Sequence, residues 1–372
     1  MAKGRSDDRI NMLTQQQKQL FLLLLRQGMW GKQEELPACF PLHPLDWQAI
    51  YAMSIKQTVQ GIIYDGICLL PKAYQPPRPI MIHWTIDIDH IERRNRQQHQ
   101  TISLLKDLFH KEPQIPFQIL KGQGIAAFYP HPDHRFCGDI DVYLGNPTQT
   151  EKANQRIEQL GIRIQRGQDN DAVYFFNGDV LEHHSILIEL RQSSIKKDLR
   201  QWEMEVFNQG ENYPVPIANH LQLSTHLLKH FINEGIGIRQ LCDTAVTLNA
   251  LAQQTDGKKL ERLCKAWNIF HWTRLVYSLL VKYLGLPEAV LPFPCNVNPD
   301  RLMDEVWESG NLGQGDTRYG NRPEGKWKSK WHTWRIVSNK FHLSLRYAPR
   351  ETWSWLSQLG QKRIKELINH KE

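Results

Sequence analysis

The chain is poor in cysteine for its 372 residues. Cys39, Cys68, Cys137, Cys242, Cys264 and Cys295 stand apart with no CxxC pair. That excludes a zinc ribbon and a disulfide framework, and it is the usage of reduced thiols in a cytosolic protein. Long apolar runs are missing too. The greasiest stretch, LFLLLLRQGMW from Leu20, is broken by Arg26, far short of the roughly 20 apolar residues of a membrane span. The opening MAKGRSDDRINM mixes both signs of charge without an apolar leader core, so the expected location is cytoplasmic. There is no internal repeat and no low-complexity tract. With 41% apolar residues the chain can build ordinary cores, which counts against large-scale disorder. A formal charge of +7 favours anionic partners, whether nucleotide, nucleic acid or membrane surface, without choosing among them.

What is present falls into segments. From Leu13 to about Pro113, apolar residues recur at three and four, the period of helices. Ile88, Ile91, Ile102, Leu105 and Leu108 form one such face. After KEPQIP the texture changes to short apolar runs with turns: FQILKG, GDIDVYL, GIRIQ, DAVYFFNG and SILIELRQ. These read as strands, with QGIAAFYP and QTEKANQRIEQLG as intervening helices, the second closed by Gly161. The chain is helical again from PIANHLQLSTHLLKHF onward and ends in a basic, Trp-rich tail. The expected fold is α+β: a small mixed-sheet domain over 113–205, an N-terminal helical region over 1–112, a helical domain over 206–290, and a connector with tail over 291–372.

The letters Asp-Ile-Asp occur twice, in TIDIDH at Thr85 to His90 and in GDIDVYLGN at Gly138 to Asn146. In a strand, residues i and i+2 share a face, so Asp139 and Asp141 project side by side. On a helix the same spacing turns side chains about 200° apart. The copy with helical surroundings, Asp87 and Asp89, is therefore expected to be a solvated helix start. Paired carboxylates repel unless a cation sits between them, and hard oxygen ligands suit Mg²⁺ or Mn²⁺. Glu189 in SILIEL is a third acid among apolar residues. Three acids on adjacent strands can hold two divalent ions roughly 4 Å apart, the clamp for in-line displacement at phosphorus. Either aspartate could equally be a solvated residue on an outward sheet face.

Upstream, FQILKGQGIAAFYP runs from strand through a glycine turn to a helix. Gly122 and Gly124 allow close backbone approach, the helix start offers free N–H groups, and Lys121 adds positive charge, together a cradle for phosphate. Arg135 is close enough in sequence to help neutralise a triphosphate or to form a surface ion pair. The set ILKGQGIAAFYP, HRFCGDIDVYL and ILIEL resembles the uncharacterised nucleotidyltransferase family of the DNA polymerase β superfamily. The resemblance covers Phe117 to Leu144 most specifically and is looser at Glu189. It implies that Asp139 and Asp141 are the metal-binding pair, Glu189 the third acid, and Lys121, Gly122, Gln123 and Gly124 the nucleotide-phosphate loop. Arg191 stands where many relatives carry histidine.

Other features are weaker. His226 and His230 lie at i and i+4 with Lys229 beside them, a spacing that can bind metal but lacks a third ligand in HExxH fashion. The resemblance has them, with Arg239 and Asp243, shaping the site. His183 and His184 read as turn residues. In the tail, Trp327, Trp331 and Trp334 sit at helical spacing among Lys326, Lys328, Lys330 and Arg335. That is either a packed stripe or a surface for anionic membrane or nucleic acid, with packing favoured. The resulting expectation is an NTP-dependent enzyme that moves an NMP to an acceptor hydroxyl or phosphate with release of pyrophosphate. ATP is the expected NTP, and the acceptor is a small molecule, protein or nucleic acid. The rivals are a catalytically silent nucleotide- or partner-binding protein of the same fold, and a nucleic-acid-binding module working through its tail.

Overall fold

The computed structural model describes residues 13–167, 171–208, 215–313, 316, 331, 335, 338 and 341–358. The architecture is α+β, mostly helical with one small mixed sheet. The chain forms two compact units that alternate along the sequence. One takes Met1–Leu187, Gly237–Ala250 and Tyr283–Leu286; the other takes Ile188–Ile236, Leu251–Lys282 and Pro287–Glu372.

The first unit opens with α1 (Gln15–Trp30), α2 (Pro44–Lys56), α3 (Gln60–Cys68) and the 33-residue α4 (Arg78–His110). The Thr14 hydroxyl and the Gln17 side chain form a capping box at the start of α1, and Gly31, with φ of 62°, ends it, satisfying backbone groups a helix end leaves open. α1 and α3 press together on glycine. A Cβ on Gly28 would lie 1.8 Å from the Ile62 carbonyl oxygen, and one on Gly66 would lie 2.0 Å from that of Leu24. No side chain fits at either point.

The sheet follows: β1 (Gln118–Leu120), α5 (Lys121–Ala126), β2 (Ile140–Tyr143), α6 (Pro147–Glu158), β3 (Ile164–Arg166), β4 (Ala172–Phe176) and β5 (Asp179–His184). Strand order is β1-β2-β5-β4-β3, with β2 and β5 parallel and every other pair antiparallel. One face of the sheet is dry. Ile140, Val142, Leu181 and Tyr174 pack there on Leu105 and Phe109 of α4 and on Ala153 and Ile157 of α6. Burying each large apolar side chain contributes about 1.5–3 kcal/mol. Truncating Leu105, which has no exposed surface, would open this layer. α9 (Ile238–Leu251) also belongs to this unit.

The second unit holds α7 (Lys196–Asn208), α8 (Pro216–Asn233), α10 (Gly257–Ala266), nearly all of α11 (Phe270–Leu284) and α12 (Asp300–Ser309). Trp272 is its buried anchor: the ring lies 5.1 Å from Phe231, and Nε1 donates to the Ser224 carbonyl at 2.9 Å. The indole thereby buries a large apolar area with its one polar atom satisfied.

Two local expectations are corrected. The first Asp-Ile-Asp lies well inside α4, whose start is at Arg78, so it is no helix start. The fifth strand is DVLEHH rather than SILIELRQ, whose residues after Ser185 are irregular. His183 and His184 are thus strand residues. The physical signal is Asn177-Gly178, both at positive φ (48° and 89°), which joins β4 to β5 as a two-residue hairpin. β5 hides its alternation because two of its buried positions are polar. Asp179 accepts from Thr101 at 2.6 Å, and the His183 ring is bonded to Tyr174 Oη and Asn154 Oδ1, both at 2.7 Å. Of the Trp-rich tail, Trp327 and Trp334 lie outside the described residues; Trp331 is exposed.

Candidate active site

The second face of the sheet carries the acids. Asp141 on β2 is in register with Glu182 on β5, and register partners in a sheet project to the same side. Burial, and after it the charges of Asp139 and Asp141, push the Glu182 carboxyl above its ordinary range, while His184 and Lys121 pull it down. Five charged or titratable groups of one unit therefore feel each other. Their contacts are short: Lys121 Nζ lies 3.1 Å and His184 Nε2 2.7 Å from Asp141 Oδ1, and His184 Nε2 lies 3.7 Å from Glu182 Oε2. Asp141 is buried, and Asp139, just before β2, is exposed.

Backbone strain aims Lys121. It follows β1 directly with φ of 44°, and Gly122 follows at φ 27°, ψ −112°. A left-handed lysine costs about 1–3 kcal/mol and persists only where surroundings enforce it. The two glycines differ in purpose. Gly122 supplies conformation, whereas a Cβ on Gly124 would stand 2.6 Å from the Ile119 carbonyl oxygen, so Gly124 lets α5 fold back on β1. Gln123 faces α4, donating to Asn95 Oδ1 and Gln98 Oε1 and bonded to His99 Nε2, each at 2.9 Å.

α4 also grips the segment leading to the acids. Arg94 donates to the carbonyls of Cys137 (3.2 Å) and Gly138 (2.6 Å), Asn95 to those of Asp133 (2.7 Å) and Arg135 (2.9 Å), and Gln98 to that of Gly138 (2.6 Å). Arg135 itself is 3% exposed and forms a fork on Asp243 of α9, Nε to Oδ1 at 2.8 Å and Nη2 to Oδ2 at 2.5 Å. Burial alone would raise the Asp243 carboxyl. Arg135, with Arg239 and the Tyr129 hydroxyl, outweighs it and holds the group below the ordinary value. A buried bidentate pair of this kind fixes geometry. Arg239 closes the cluster by donating to the Phe136 carbonyl at 2.8 Å.

Glu189 belongs to the other unit. Its Oε1 is 2.5 Å from Lys229 Nζ and its Oε2 3.1 Å from His226 Nδ1. The His226 ring stands 4.3 Å from that of His230, whose Nδ1 is 3.2 Å from Glu234 Oε2. Sequence reasoning missed Glu182 and His184, although the Asn-Gly hairpin could have placed them on a strand. It also missed an apolar shelf beside them: Val173, Phe175 and Val180 share the acids' face by register and are exposed, Phe175 at 64%.

The arrangement fits a divalent cation. Ligand atoms of Asp141, Glu182 and His184 lie within 4.8 Å of one another, and the mutual charge of the acids is what a cation relieves. A family model described as uncharacterised nucleotidyltransferase matches residues 43–285, more than half of the chain, and the chain belongs to that family. Membership makes it a transferase of nucleotidyl groups in its general class. No curated protein and no solved structure matches the chain. Among the described residues, no helix is long and apolar enough to cross a membrane.

Proposed function

We propose that the protein transfers an NMP from an NTP, with ATP the first candidate, to an acceptor hydroxyl or phosphate and releases pyrophosphate. The observation that carries this reading is the carboxylate group of Asp139, Asp141 and Glu182 on one open sheet face, with Lys121 in contact with Asp141. Asp139 and Asp141 would hold Mg²⁺ or Mn²⁺, with His184 favouring Mn²⁺ over Mg²⁺ by its nitrogen. A bound ion of that kind neutralises triphosphate oxygens and lowers the pKa of an attacking hydroxyl. Lys121 and the backbone of Gly122 to Gly124 would receive the phosphates. Arg135, spent on Asp243, would act by positioning the segment that ends at Asp139.

Two acids compete for the third place. Glu182 has the register with Asp141, and Glu189 has the family pattern together with a lysine and a histidine that orient it. Whichever serves would take the acceptor's proton at a carboxylate oxygen. The test is a screen of the four NTPs with Mg²⁺ or Mn²⁺ in cell extract, reading pyrophosphate and identifying the modified species by mass. Glu182→Gln and Glu189→Gln are assayed beside wild type, and the larger loss names the third acid. Wild-type release no higher than that of the Asp139→Asn/Asp141→Asn double variant sinks the reading.

One observation supports a silent, nucleotide-binding member instead: Lys121 Nζ and His184 Nε2 already contact Asp141 Oδ1, so the chain's own side chains occupy the oxygen a metal would use. Nucleotide binding with unchanged affinity in the presence and absence of divalent metal, and no product from any NTP, would favour it.

A further inference from the structure

Away from the sheet face, α3 and the turn before Arg135 bring together a second set of ligand-bearing side chains. Asp65 and Cys68 sit one helical turn apart on α3, and His131 precedes and His134 ends a short 3₁₀ turn, Pro132–His134. Ligand atoms of Asp65, His131 and His134 lie within 4.8 Å of one another. The two imidazoles stack at 5.3 Å. Asp65 and His131 line a pocket of about 250 Å³ together with Cys68, Gly28, Gly31 and Pro130.

The turn that bears the histidines is held by a contact that tolerates no side chain. A Cβ on Gly61 would fall 1.8 Å from the His134 carbonyl oxygen, so the turn bearing the histidines rests directly on α3. His134 is oriented from both sides: Nδ1 is 2.6 Å from Asp65 Oδ1, and Nε2 is 3.2 Å from Glu92 Oε1 on α4. A carboxylate behind a ligating imidazole is the usual second support of a metal-bound histidine. Asp65 is largely buried beside both imidazoles, a position where a bound cation offsets the cost of a buried carboxylate.

We propose that Asp65, His131 and His134 form a site for a first-row transition metal of the Zn²⁺ class, with Glu92 orienting His134, distinct from the sheet-face acids. Mixed nitrogen and oxygen donors suit Zn²⁺. Bonds of about 2.0–2.2 Å set ligand atoms about 3.3 Å apart, so the Asp65 and His134 atoms need separate by less than about 1 Å. The ion replaces the proton shared by Asp65 Oδ1 and His134 Nδ1, and that proton leaves to solvent. The fourth position falls to the Cys68 thiolate, which would lose its own proton on binding, or to water. Bound metal would pin the His131–His134 turn, and through it the strand-leading segment, to α3.

The test uses the full-length protein, stripped with chelator and titrated with Co²⁺, with Zn²⁺ as competitor. Expected is one equivalent giving the intense visible bands of tetrahedral Co²⁺, displaced by Zn²⁺, and retained in Asp139→Asn/Asp141→Asn. His131→Ala, at an exposed residue, should lower affinity at least tenfold with unchanged circular dichroism, and His134→Gln should do the same or more. A near-ultraviolet thiolate band that Cys68→Ser removes gives the thiol the fourth place; its absence with the visible bands intact gives that place to water. Weak octahedral Co²⁺ bands alone, or wild-type affinity in His131→Ala, overturn the proposal. The readout is spectroscopic, so loss of the nucleotidyltransfer reading would leave it standing.

Discussion

At Asp87 and Asp89 the letters Asp-Ile-Asp lie inside α4; at Asp139 and Asp141 they lead into and occupy β2. In the helix the two carboxylates diverge and each finds its own neighbour. Asp87 accepts from the Tyr51 hydroxyl at 2.8 Å, and Asp89 pairs with Arg93 one turn on. In the strand they converge with Glu182, and the congestion is relieved by Lys121 and His184. Identical residues thus make a surface in one place and a charged centre in another. The cause is the period of the backbone, 3.6 against 2.

Substitutions can break that comparison. Asp141→Asn should lower pyrophosphate release by about 10²–10³-fold or more, while Asp87→Asn leaves it within twofold; equal losses at the two sites would remove the distinction. Asp243→Asn strands Arg135 without its counter-charge and should cost about 3–5 kcal/mol, read as a fall in denaturation midpoint. The same pair gives a pH signature. Because folding lowers the Asp243 pKa from its ordinary 3.8, its stabilisation is complete above that value and is lost as pH falls through the folded pKa. Acid unfolding of Asp243→Asn should therefore be shallower than that of wild type. At the helical copy, Tyr51→Phe removes one partly buried hydrogen bond and should cost about 1 kcal/mol. Asp89→Asn removes an ion pair whose side chains are more than half exposed and should change stability by less than about 0.5 kcal/mol.

Much of this was legible in the residues themselves. Short apolar runs between turns located β1 to β4 within about three residues, and the glycine turn at Gly122 and the pair Asp139 and Asp141 stood out by spacing. The misplacement of the fifth strand has a physical reason: Asp179 and His183 are buried by partners, so hydropathy reads them as exposed. The apolar run Ile186 to Leu190 then looked more strand-like than the true strand. Arg135 could not be read either. Its partner is 108 residues away in the chain, and no local pattern distinguishes a forked buried arginine from one offered to phosphate. The grip of Arg94, Asn95 and Gln98 on the segment before Asp139 escaped for the same reason, since those side chains look like the wet face of a helix.

The separation of Arg135 from Asp243 also bears on how the molecule is made. A ribosome delivers the strands, the acids and Arg135 before α9 exists, so the guanidinium has no Asp243 to pair with until 108 further residues have been made. Only when residue 243 has been released can Arg135 meet its buried counter-charge. Chains halted before that point would lack the buried carboxylate that fixes Arg135 and the segment leading to Asp139, which makes α9 a late-arriving support of the sheet face.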